Sequence, residues 1–145
     1  MADTVVNIEV IVVRNDRFLT IVRSADEEFG GGWLCFPGGK LDPGTADPDA
    51  IEATAQRELR EEVGLEVAID GLIYVESHTF MIGNETILDI VMMTETATGE
   101  AVARDPAEVA EVLWLTEDEI MDDPRVQSWT RESLRRAIAR RCRAR

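Results

Sequence analysis

The chain has 145 residues, 45% of them hydrophobic and 30% charged, the composition of one ordinary globular domain large enough to bury a core. Its formal net charge of −14 excludes a protein that grips nucleic-acid polymers through a broad basic surface. Two cysteines, Cys35 and Cys142, are too few for a disulfide framework and are expected to stay reduced.

The first apolar run, in MADTVVNIEVIVV, has no basic segment before it and is interrupted by Asn7 and Glu9. It fits neither a signal peptide nor a membrane span, so a cytoplasmic protein with no membrane partner is expected. The β-branched residues from Val5 to Val13, the pair Asn15-Asp16 and the run FLTIVR predict an opening hairpin. GGGWLCFPGGKLDPG then packs glycine and proline around a short apolar segment and reads as a loop. Asp47 ahead of Pro48 predicts a helix start with Asp47 as cap, and the apolar period Ile51, Ala55, Leu59, Val63 ends at Gly64. LIYVESHTF, ETILDIVMMTE and EVLWL read as strands, separated by breaks at Gly83-Asn84 and Gly99. Thr116 is placed to cap a short acidic helix, and a last helix follows Pro124 to about residue 142. Strands, one helix, more strands and terminal helices together predict an α/β fold with a mixed sheet covered on both faces.

The first helix carries an unusual row of acids. On a helical wheel with Ile51 at zero, Glu58 and Glu62 fall near −20° and +20°, Glu61 near −80°, and Ala53 and Arg60 on the solvent side. A charge run usually marks a solvated face, but these acids border the apolar stripe, where desolvated carboxylates need a cation. Hard oxygen donors with no His or Cys beside them point to Mg²⁺ or Mn²⁺, and such ions share their coordination with substrate phosphates. The acidic body therefore points to phosphate chemistry assisted by a metal.

GGKLDPG followed by RELREEVGL resembles the signature of the Nudix hydrolases. The second half of that signature matches from Arg57 and Glu58 through Leu59, Glu61, Glu62 and Gly64 to Leu65. Trp33 to Lys40 is similar to the W-x-x-P-G-G-K approach of the family with one extra residue, and Glu108 to Trp114 is similar to its E-x-x-E-x-x-W segment. In the first half four residues are inserted within GTADPD, and Asp49 stands where the signature has Glu. The resemblance covers nearly the whole chain, 1–145, and implies a single domain with the Nudix α/β/α sandwich.

It also implies a hydrolase that cleaves the diphosphate linkage of a nucleoside diphosphate joined to another group, by attack of water on phosphorus. Glu58, Glu61, Glu62 and the backbone carbonyl of Gly39 would hold Mg²⁺ or Mn²⁺. Arg57 would orient a glutamate, and Glu108 would be the base, with Glu111 second. Arg23 and Lys40 are the cations placed to meet phosphates. The implied partner is a small nucleotide; monomer and homodimer both stay open. Trp33 is a candidate to stack on a base, whereas Phe36 is expected in the core and His78 in a structural role. Seven Arg and one Glu in residues 129–145 leave the last helix either docking, on the acidic body or on a partner, or presenting a solvated face with a frayed end, the solvated face being favoured. The alternative function is a catalytically silent Nudix-fold module that binds or senses nucleotides. A cation-buffering protein is a weaker third, since no calcium loop with alternating ligands is present.

Overall fold

The chain opens with the predicted hairpin. In the computed structural model, which describes residues 3–144 without the side chain of residue 144, β1 (Thr4–Arg14) and β2 (Arg17–Arg23) pair antiparallel, with Val13 opposite Phe18 and Arg14 opposite Arg17. Asn15 and Asp16 take left-handed φ of 52° and 59°, the two-residue turn whose twist suits a hairpin. β1 is the hub of a seven-stranded mixed sheet. β6 (Glu85–Thr94) runs parallel to it, from Thr4 opposite Thr86 to Val12 opposite Thr94, and β5 (Ile73–Ile82) pairs antiparallel beyond β6. β2 is flanked by β3 (Leu34–Cys35) and β7 (Val109–Leu115). β4 (Gly38–Lys40) pairs with β1, placing Gly39 opposite Ile8 and Gly38 opposite Glu9. The glycine-rich stretch expected to be only a loop thus supplies two short strands.

Alternation along β1 divides the core. Ile8, Val10 and Val12 pack with Leu19 and Ile21 against Ala55, Leu59 and Val63 of α1 (Ala50–Val63). Ile11 and Val13 pack on the opposite face with Val91, Met93, Ile120 and Leu134, under α2 (Glu117–Asp122) and α3 (Ser128–Ala144). Full burial of a side chain such as Leu59 is worth about 1.5–3 kcal/mol, so this stripe fixes the rotation of α1 and with it the acids. The result is the expected α/β/α arrangement.

Both ends of α1 are informative. Gly64 closes it at φ 75°, with its N–H bonded to the Arg60 carbonyl and that of Leu65 bonded to the Leu59 carbonyl. The start differs from the prediction: the helix begins at Ala50, and Asp49 occupies the cap position at φ 56° without a side-chain cap bond. Asp47-Pro48 is a strong local signal, but the packed stripe sets the helix axis. The incoming chain turns onto that axis at Asp49, a residue type that tolerates the left-handed region.

The second acidic helix is capped as expected, with Thr116 and Glu119 forming a reciprocal box. The last helix is docked, contrary to the favoured solvated face. Arg131 donates to the carbonyls of Met121 and Asp123 at 3.0 and 2.8 Å, and Arg141 pairs with Glu95 at 2.7 Å. Arg135 and Arg136 stay on the exposed side with Glu132. Both cysteines are free, and no described helix is long and apolar enough to cross a membrane.

Candidate functional site

The three acids differ in burial: Glu62 is buried, Glu58 half-buried and Glu61 exposed. Glu62, only 5% exposed, accepts a 2.8 Å hydrogen bond from the N–H of Gly38, and burial pushes its carboxyl up to about 8. Glu58 is also raised, chiefly by burial and partly offset by Arg57. Arg57 bonds Glu58 at 3.1 Å, the Lys40 carbonyl at 3.2 Å and the carboxylate of Asp42, so it ties α1 to β4 and fixes the Glu58 carboxylate. A Cβ on Gly39 would fall within the Glu58 carboxyl group, and one on Gly38 would strike the Ile8 carbonyl. These glycines are required by close approach, one to the acid and one to strand β1, since neither has a positive φ.

Glu108 lies on the turn before β7, where its carbonyl accepts from Ser24 N–H beside the end of β2. Its carboxyl is raised, first by burial and then by Asp105 and Glu27, with Arg23 opposing. Arg23 reaches Glu27 at 3.6 Å and the Phe29 carbonyl at 3.2 Å. Glu111 points elsewhere, on an exposed stretch of β7 opposite Val22.

One cavity of about 790 Å³ gathers Glu58, Glu62, Gly39, Arg57, Glu108, Arg23 and Lys40. Glu61 does not line it and stands at its margin, close enough to Glu58 and Glu108 to raise both carboxyls. Among the described residues, no three Asp, Glu, His or Cys side chains already converge as a metal-binding group. Glu58 is held by Arg57 and Glu62 by Gly38. The donor chemistry nevertheless fits a hard divalent cation: two poorly solvated carboxylates, a third at the margin, and a glycine backbone lying against one of them. Cys35 also lines the cavity, but burial, with Glu9 adding to it, pushes its thiol far above neutrality, so it is no nucleophile.

The other end of the cavity is built by residues that the sequence reading passed over. Phe80 and Trp129 stack at 4.9 Å and 10°, and Trp33, the predicted stacking candidate, meets Trp129 edge-on at 5.7 Å. Phe36 is in the core as expected. Asn7 and Glu9 form part of the floor. Their signal was visible as two polar residues at period two in an otherwise apolar strand. A second cavity of about 450 Å³, on the α1 face of the sheet by Leu72, Leu88 and Ile90, contains only one acid, Glu52, and none of the predicted site residues.

The sequence matches the model of the NUDIX domain over residues 4–137. The chain belongs to the Nudix family. The fold agrees: a MutT Nudix hydrolase from Burkholderia pseudomallei superposes with a TM-score of 0.78 at 23% identity, over 92% of this chain and 97% of that one. The ORF135 protein of E. coli gives 0.76 at 23% identity, over 97% and 92%, and the MutT protein of Methanosarcina mazei Go1 gives 0.78 at 17%, over 93% of each. None of the curated proteins matches the sequence. As a Nudix protein it is a pyrophosphohydrolase, of a family that acts on small nucleotide-linked substrates.

Proposed function

We propose that this Nudix protein is a Mg²⁺- or Mn²⁺-dependent hydrolase of a nucleoside diphosphate linked to another group, cleaved by water attack on phosphorus. The observation that carries this reading is the single cavity in which Glu58, Glu62 and Gly39 face the same space as Arg23, Lys40 and Glu108. Glu58, Glu61, Glu62 and the Gly39 carbonyl would hold the ion. When bound, it supplies charge to polarise phosphoryl oxygens and to lower the pKa of the attacking water.

The chain's own side chains do the rest. Glu108, raised above the ordinary carboxylate range, is a better proton acceptor than a solvated acid and takes the proton from water at a carboxylate oxygen. Arg23 and Lys40 reach substrate phosphates from the rim, while Arg57 keeps the Glu58 carboxylate aimed by holding it from behind. Asp49, the residue in register with the missing signature acid, is not among the residues of this cavity.

The test is phosphate and pyrophosphate release from nucleoside triphosphates, nucleotide sugars and dinucleoside polyphosphates with Mg²⁺ or Mn²⁺, alongside Glu62→Gln. Metal-dependent turnover lost in the variant is expected. Nucleotide binding without turnover under any of these conditions would instead support the silent module.

A further inference from the structure

The connection from β6 to β7, residues 95–108, lies along the end of the glutamate helix and delivers Glu108 to the cavity. Glu66 and Thr98 exchange two backbone hydrogen bonds, at 3.0 and 2.8 Å. Beyond them the loop satisfies carbonyls that α1 leaves without a helical partner once the chain turns off its axis at Gly64. Val102 N–H donates to the Val63 carbonyl at 3.0 Å, Arg104 N–H to the Glu62 carbonyl at 2.9 Å, and Arg104 Nη1 to the Arg60 carbonyl at 3.2 Å. Glu62 thus serves the cavity with its carboxylate and holds the loop with its carbonyl. The Arg104 stem crosses Gly64 so closely that a Cβ there would sit 3.0 Å from its Cδ. A cation at this end of the helix also suits the helix dipole.

Directly after Arg104 the chain closes into a turn. The Asp105 carbonyl accepts from the N–H groups of Glu108 and Val109 at 3.0 and 2.7 Å, and Asp105 Oδ1 accepts from Ala107 N–H at 3.2 Å. The far side of this turn is held by β2, through Ser24 N–H on the Glu108 carbonyl at 2.9 Å and the pairing of Val109 with Arg23. Glu108 therefore sits between two supports, the end of β2 and the end of α1, and Arg104 forms most of the second with its backbone and side chain. Arg104 is exposed and lines no part of the cavity, so its only route to the reaction is through the turn it holds. An exposed contact of this kind adds little to stability. What it sets is the distance from Glu108 to the Glu58 and Glu62 carboxylates, and rate is steeply sensitive to such distances.

We propose that Arg104 is a positioning residue: by clamping the turn from Asp105 to Glu108 onto the C-terminal end of α1, it holds the Glu108 carboxylate in register with the acids of that helix. The proposal deepens the hydrolase reading above and rests on it for Glu108 as the base. It departs from a plain helix-end contact in one consequence: the loss of rate on removing the Arg104 side chain must pass through Glu108.

The experiment is a double-mutant cycle between Arg104→Ala and Glu108→Gln, read as hydrolysis of the triphosphates, nucleotide sugars and dinucleoside polyphosphates named above with Mg²⁺. Arg104→Ala should lower kcat at least about tenfold, with KM and Mn²⁺ affinity within about threefold of the wild type. In the Glu108→Gln background the same substitution should change kcat by less than about twofold. Arg104→Lys, which keeps a donor for the Arg60 carbonyl, should stay within about threefold of the wild type. Amide hydrogen exchange supplies a readout free of turnover: the N–H groups of Arg104 and Glu108 should exchange at least about tenfold faster in Arg104→Ala, with those in the middle of α1 unchanged. Should Arg104→Ala not fold, Arg104→Met keeps the stem over Gly64, removes only the donor and takes its place in the cycle. An unchanged kcat, an equal loss in both backgrounds, or unchanged exchange at Arg104 and Glu108 overturns the proposal. Wild-type turnover by Glu108→Gln overturns it too and leaves the hydrolase reading standing with another base. A wild type that turns over none of the panel would fell the hydrolase reading instead, and the exchange measurement alone would then decide whether Arg104 holds the turn.

Discussion

Glu62→Gln replaces an acid by a neutral group of the same shape at a buried position, so its effect on stability isolates the ionisation. Burial pushes the carboxyl to about 8 in the folded chain, whereas the unfolded chain leaves it near its ordinary value of 4.5. The folded state therefore keeps a proton that the unfolded state releases, and stability must fall as pH rises between these values. Below about pH 4.5 both states are protonated and the contribution is complete; above about pH 8 it is gone. At about 1.4 kcal/mol per pH unit, the loss across that window is on the order of 5 kcal/mol. For a chain of this size 1 kcal/mol moves the melting midpoint by roughly 2–4 °C, so metal-free wild type should lose on the order of 10 °C from this group. Differential scanning calorimetry in EDTA from pH 5 to 9 provides the assay. Glu62→Gln should flatten the profile and melt above the wild type at pH 9, because its amide needs no desolvation of charge. A wild-type midpoint unchanged across this range, or a Gln variant with the same pH slope, would refute the buried, cation-free glutamate inferred here.

Other substitutions test separate links. Gly39→Ala should lower kcat at least about tenfold with unchanged far-UV circular dichroism, because the new methyl must displace the Glu58 carboxylate. Glu61→Gln should lower kcat about a hundredfold through loss of a charged metal ligand, while Glu66→Gln, paired with Arg60 at 2.8 Å on the exposed side, should leave it nearly unchanged. Asp49→Gly should raise stability by about 0.5–1 kcal/mol in urea unfolding, since it relieves a left-handed φ without removing a cap bond, and steady-state turnover should not change. Leu134→Ala, at a fully buried position of α3, should cost about 2–5 kcal/mol in the same unfolding assay.

The parts of the site that lie within one element could be read from the chain. Four apolar residues at helical spacing placed Glu58, Glu61 and Glu62 at the edge of a buried stripe, where the structure has Glu62 buried, Glu58 half-buried and Glu61 exposed. The Asn15-Asp16 turn and the Thr116 box are likewise local chemistry. The start of α1 escaped the same logic. Its Asp-Pro signal competes with the packing of Ile51, Ala55 and Leu59, and the chain turns at Asp49 to satisfy the packing. The cavity floor was hidden for another reason. Asn7 and Asp89 lie 82 residues apart and meet only because β1 and β6 pair in parallel, a register that neither strand announces alone. Arg141 and Glu95 meet across the fold in the same way, which is why the basic helix could not be docked from composition.

The most direct test of the central claim, that the glutamate face of α1 with Gly39 is a divalent-cation site, is an electron paramagnetic resonance titration of Mn²⁺ into the substrate-free protein. Its readout is independent of turnover, so the identity of the substrate does not enter. Wild type should remove Mn²⁺ from the free-ion spectrum with a saturating stoichiometry, and the double variant Glu58→Gln/Glu62→Gln, checked for an intact melting transition, should lose at least about tenfold in affinity. Equal Mn²⁺ binding by the folded double variant and the wild type would contradict the account, because the ion would then be held elsewhere.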